Sequence, residues 1–110
     1  MNESLEISVQ DVAQLVNEKT DFYFLDCRNP DEYAVAAISG ATLIPMNELE
    51  FRVSELSEHK DRRVVVHCHL GGRSLRVAQW LRQNGFQRAQ SMAGGISAWS
   101  DEIDPSIPKY

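Results

Sequence analysis

The sequence has little of what would commit a chain to a membrane, a nucleic acid or an oxidising compartment. No apolar run approaches the ~20 residues that a membrane-spanning helix requires. Basic residues never run longer than Arg62-Arg63, and 11 Lys and Arg face 16 Asp and Glu, for a formal net charge of −5. A phosphate backbone is bound by a basic face, so nucleic acid is not an expected partner. Met1 to Ser4 carry no basic stretch leading into an apolar one. No secretory signal is therefore expected, and the cytoplasm is the expected location. There are only two cysteines, Cys27 and Cys68. That is too few for a disulfide scaffold, and a reducing compartment leaves both as thiols. Internal repeats and low-complexity linkers are absent as well. Residues 1–110 are therefore read as one domain, with a core over about 8–103 and an extended tail at 104–110.

What is present alternates between strand and helix. Ser8 with Asp11 marks a helix start, followed by an apolar stripe of Val9, Val12, Leu15 and Val16. Phe22 to Cys27 reads as a buried strand, and Asn29-Pro30 opens a short helix that ends before Gly40. A second short strand spans Ala41 to Ile44 and stops at Pro45. Asn47 with Glu50 then forms a capping pair that predicts a helix through about Leu56. Arg63 to His67 is a β-branched strand, and a helix runs from Arg73 to a cap at Gly85. Gln87 to Met92 is the last strand, and Gly94-Gly95 leads into a short helix around Ile96 to Trp99. Such alternation implies parallel pairing in a layered α/β domain, whose ligands bind beyond the carboxyl ends of the strands.

Cys68 stands at such an end. His69, Leu70, Gly71 and Gly72 separate it from the Arg73 helix. A Gly-rich turn between strand and helix can aim successive amides at one point, and the helix start adds its positive pole. Both favour thiolate over thiol and make the cysteine nucleophilic near neutral pH. Arg73 adds a full charge and a planar donor fork. Ser74 reads as a first-turn side chain and not as a nucleophile.

Residues 68–74, Cys-His-Leu-Gly-Gly-Arg-Ser, resemble the Cys-x-x-Gly-x-Arg-Ser active-site loop of the rhodanese homology family. Leu25 to Tyr33 is similar to that family's Asp-Val-Arg-x-x-x-Glu-[Tyr/Phe] opening motif, and Ala36 to Ala41 to its Gly-His-Ile-Pro-Gly-Ala segment. Gly85-Phe86 and Met92 to Trp99 are similar to its closing motifs. The resemblance runs from about Ser8 to Tyr110. It implies a five-stranded parallel sheet with helices on both faces, and a two-step sulfurtransferase reaction. Cys68 would take a sulfane sulfur from thiosulfate or a persulfide, and pass it to cyanide, a thiol or a protein acceptor. The amides of His69, Leu70, Gly71, Gly72, Arg73 and Ser74 would cradle the sulfur, with Arg73 anchoring the loop. Asp26 and Arg28 would support it from a neighbouring strand. No cofactor beyond the covalent persulfide is implied. The expected assembly is a monomer or a weak homodimer.

The chain departs from the family pattern at Cys27, where Val is usual, and at Ala37 and Ser39, where His and Pro are usual. The middle of the loop carries His69, Leu70 and two glycines with no additional Arg or Lys, which favours a persulfide or thiol donor over doubly charged thiosulfate. Cys27 reads first as a core residue and second as a redox partner for Cys68. His67 and Cys68 are adjacent in a strand and so point to opposite faces, which argues against a metal site. His59 is expected to be exposed, and Trp80 and Trp99 to pack in the core or between helices. A cysteine-dependent phosphatase or arsenate reductase is the rival enzyme class. Its loop places five residues between Cys and Arg, whereas four stand here. The second rival is a persulfide carrier or a regulatory binding module. Residues 104–110 resemble the end of rhodanese domains fused to sulfur-carrier-activating enzymes.

Overall fold

The computed structural model describes residues 3–110. Five strands form one sheet: β1 (Glu6–Ile7), β2 (Tyr23–Asp26), β3 (Thr42–Leu43), β4 (Val64–His67) and β5 (Ala89–Met92). Their order is β1-β5-β4-β2-β3, and every neighbouring pair is parallel. The expected five-stranded α/β architecture is therefore present. Its first strand was not visible as a pattern, because two residues at a sheet edge are too few for a period-2 signal.

Helices cover both faces. Leu25, Val64, Val66, Val77, Ala78, Leu81 and Phe86 make a buried cluster under α4 (Gly72–Gln83), joined by Leu49 of α3 (Leu49–Arg52). On the opposite face Phe24, Val65 and Met92 pack against Val9 and Val12 of α1 (Val9–Asn17). Ile96 and Trp99 of α5 (Gly95–Glu102) complete that side. The alternation along β4 explains the split, since Val64 and Val66 turn to one layer and Val65 to the other. The Ser8 hydroxyl caps α1 by accepting from the Asp11 amide at 3.1 Å, as expected. The short helix after Asn29 is α2 (Pro30–Val35).

Three expectations are corrected. Asn47 does not cap a continuous helix. Pro45 takes the cap position, its carbonyl accepting from the Glu48 amide at 2.8 Å, so Asn47 lies inside a 3₁₀ turn over Met46–Glu48. Only four residues then become α-helical before a second 3₁₀ stretch over Val53–His59. His59 is not exposed: its ring stacks on Tyr23 with centroids 4.2 Å apart, and its Nδ1 meets Arg62 at 2.6 Å. The tail is not simply extended either. Asp104 begins a turn that buries Ile107 and returns the chain to the carboxyl ends of the strands.

Candidate active site

β4 sits at the centre of the sheet and ends at His67, so Cys68 leaves the sheet where its neighbours also end. Cys68 shares the α4 face with Val66, while His67 turns to the other face and sits edge-on to Phe24 at 5.4 Å. The two residues point apart, as the strand period requires. Among the described residues, no three His, Cys, Asp or Glu side chains converge as metal ligands would.

The loop closes around the sulfur. Sγ of Cys68 accepts from the Gly71 amide at 3.1 Å and the Ser74 amide at 3.3 Å, and meets the Ser74 hydroxyl at 3.4 Å. Gly71 makes this possible. It precedes α4 with φ 110°, a left-handed conformation open mainly to glycine, and an added Cβ would sit 3.2 Å from the Gly94 amide. α4 begins at Gly72, one residue before the expected Arg73, so its first turn faces the sulfur. Burial pushes the Cys68 pKa up. The Ser74 hydroxyl and the amides of Ser74, Gly71 and Leu70 outweigh that and hold it below an ordinary thiol. Cys68 is only 1% exposed, whereas Leu70 at the loop apex is 67% exposed.

The outside of the loop is fixed by a part of the chain distant in sequence. The Ile96 amide donates to the Cys68 carbonyl at 2.9 Å, and the Ser97 amide to the His69 carbonyl at 3.1 Å. With these carbonyls held outward by the first turn of α5, the following amides turn in toward Sγ. Ser91 of β5 adds a buried hydroxyl 2.7 Å from that of Ser74.

Arg73 anchors the loop without facing the sulfur. Its fork grips both oxygens of Glu32 in α2, at 2.7 and 2.9 Å. The Arg73 hydrogen bonds hold the Glu32 carboxyl down at about 2, against the effect of burial and with help from the Asn29 amide and the Tyr110 hydroxyl. Asp26 and Arg28 form a fully buried pair on the far side of the sheet from Sγ. Arg28 Nε and Nη2 donate to the carboxylate at 2.9 and 2.7 Å, and Nη2 also reaches the Ala36 carbonyl at 2.7 Å. The pair braces the chain leaving β2 and does not touch the sulfur.

Cys27 lies one residue past Asp26, which pairs with His67, so the register sets the two cysteines side by side on one face. Both are buried free thiols. Burial, together with the charges of Cys68 and Asp26, pushes the Cys27 pKa far above an ordinary thiol. Trp99 is buried as expected, and half-buried Trp80 flanks a groove with Met46 and Val77. Glu32, Ser91, Tyr110 and the Gly94-Gly95 turn were not singled out from the sequence as site residues. Glu32, the two glycines and Tyr110 do stand inside segments that resemble the family, whereas nothing local marks Ser91.

The family model of the rhodanese-like domain matches residues 8–102. A sulfurtransferase of Allochromatium vinosum is 36% identical over 95 residues, covering 86% of this chain and 87% of its own. A chloroplastic rhodanese-like/PpiC domain-containing protein 12 of Arabidopsis thaliana is 38% identical over 90 residues, covering 78% of this chain and 29% of that protein. The adenylyltransferase and sulfurtransferase MOCS3-2 of Zea mays is 31% identical over 98% of this chain, which spans 23% of the maize protein. Among solved structures, a rhodanese-like domain protein of Staphylococcus aureus superposes with TM-score 0.81 and 26% identity, covering 97% of this chain and 99% of that one.

Proposed function

The chain belongs to the rhodanese-like domain family, and on that premise we propose that it moves sulfane sulfur through a persulfide on Cys68. The observation that carries this reading is the convergence of the Gly71 and Ser74 amides on Sγ, with the Ser74 hydroxyl 3.4 Å away and able to donate to a thiolate. In the first step the Cys68 thiolate attacks the outer sulfur of the donor. A new S–S bond forms, the donor's own S–S bond breaks, and its remainder leaves as sulfite or as a thiolate. In the second step an acceptor nucleophile attacks the outer sulfur of the persulfide and takes it. The S–S bond to Cys68 breaks and the thiolate returns with its electron pair. The same amides stabilise thiolate and persulfide anion, so neither step calls for a cofactor.

The charge around the loop favours the donor class. The guanidinium of Arg73 is matched by Glu32, and no other Arg or Lys stands in the loop. A persulfide, whose reacting end carries a single negative charge, suits this cup better than the compact thiosulfate dianion. The four-residue span from Cys68 to Arg73 closes on a single sulfur and is too tight for a phosphoryl group.

Intact mass spectrometry tests the reading. Incubation with glutathione persulfide adds one sulfur, ~32 Da, that cyanide removes and that Cys68→Ser lacks. A wild-type protein that gains no mass from either a persulfide or thiosulfate is not a sulfurtransferase.

A further inference from the structure

We propose that Tyr110 is a positioning residue of the sulfur site, holding the Cys68 loop through its ring on His69 and α2 through its hydroxyl on Glu32. The proposal rests on Cys68 being the reactive thiolate, and three sets of contacts support it.

The tail is built to deliver this side chain. Ile107 is buried, and its carbonyl accepts from the Ser100 hydroxyl at 2.6 Å. The Lys109 ammonium donates to the Ser97 carbonyl at 3.1 Å and hydroxyl at 2.7 Å, and pairs with Asp101 at 2.9 Å. All of these anchors lie on α5, the helix whose first turn also holds the Cys68 and His69 carbonyls. Tail and loop are thus mounted on one support.

The ring of Tyr110 then stacks on the His69 imidazole, with centroids 4.0 Å apart and planes 11° apart. Its hydroxyl both accepts and donates. It accepts from Arg28 Nη1 at 2.9 Å and donates to Glu32 Oε2 at 3.0 Å. Glu32 is the carboxylate that also receives the Arg73 fork. One side chain therefore joins the loop at His69 to the partner of the loop's other end at Arg73.

The chemical consequence follows from where His69 sits. It lies between the nucleophile and Leu70, whose amide is among the groups that stabilise the Cys68 thiolate. Leu70 itself is mostly exposed and has little packing to hold it. The stack on the preceding residue supplies that restraint.

The experiment is the pH dependence of iodoacetamide alkylation at Cys68, read by peptide mass, in wild type, Tyr110→Phe and Tyr110→Leu. The Leu variant loses both ring and hydroxyl, and its midpoint rises by about one pH unit, an about tenfold slower reaction at a fixed pH below it. The Phe variant keeps the ring and shows a smaller rise. A Leu profile that superimposes on wild type overturns the proposal even if its melting temperature falls, since a merely structural tail would change stability alone. Should the Leu variant not fold, the Phe variant decides: a raised midpoint supports the proposal, and an unchanged one overturns it. Alkylation needs no sulfur donor, so a wild type that fails to load sulfur refutes the sulfurtransferase reading while this comparison still stands.

Discussion

Ser74 has one hydroxyl proton and three acceptors within reach: Cys68 Sγ at 3.4 Å, the Gly71 carbonyl at 3.2 Å and Ser91 Oγ at 2.7 Å. When Cys68 is a thiolate, the charge draws that proton to sulfur, and Ser91 turns to donate to Ser74. Ser74→Ala removes the donor and strands a buried Ser91 hydroxyl. The expected outcome is a stability loss of about 1–3 kcal/mol in denaturant titration and a Cys68 alkylation profile shifted to higher pH. In the same experiment Cys27 stays unmodified in the folded protein, because burial raises the pKa of that thiol while the loop lowers its neighbour's. Two adjacent thiols thus differ in reactivity because one is buried without such donors and the other is ringed by them, a contrast the amino-acid letters do not carry.

At the scale of elements, the tie between α2 and the start of α4 is the Glu32–Arg73 pair. The Glu32 carboxyl titrates at about 2 in the folded chain, against about 4.3 for a free glutamate. Because the folded value is the lower one, the stabilisation is complete above about pH 4.3 and fades as the pH falls through 2. Glu32→Gln therefore destabilises the fold at neutral pH by about 1 kcal/mol, as for a partly exposed pair, and lowers the melting temperature accordingly. The gap from wild type closes as melts are repeated from about pH 5 down to 2. Four of the five strands were legible in the sequence: β2 and β4 lie in the aromatic and β-branched runs Phe22 to Cys27 and Arg63 to His67, and β3 and β5 come soon after Gly40 and Gly85. The cysteine loop was legible because its function depends on local backbone geometry. The segment after Pro45 was misread because a capping pair competes with a proline that settles the turn first. Tyr110 was missed for a different reason: its partners Arg28, Glu32 and His69 lie in segments far from it in the chain.

At the scale of the whole molecule, the site is assembled from four separated stretches that meet at the carboxyl ends of the parallel strands. The most demanding junction is Gly95, with φ 61°, where an added Cβ would lie 2.4 Å from the His69 carbonyl oxygen and 2.6 Å from that of Cys68. Both are backbone atoms, so the loop itself would have to move. Gly95→Ala is expected to slow sulfur loading about a hundredfold, since a ~1 Å displacement of reacting groups costs that much. Stopped-flow persulfide transfer measures it, and circular dichroism checks that the sheet survives. The same arrangement gives the molecule two unlike poles. Glu3 grips Arg63 and Arg88, which stand just before β4 and β5, so the described chain starts at the amino ends of the strands. Tyr110 lies at the other pole, against the nucleophile's own loop. For anyone preparing this protein, an affinity tag placed ahead of Glu3 trails away from the chemistry. One joined after Tyr110 hangs at its mouth.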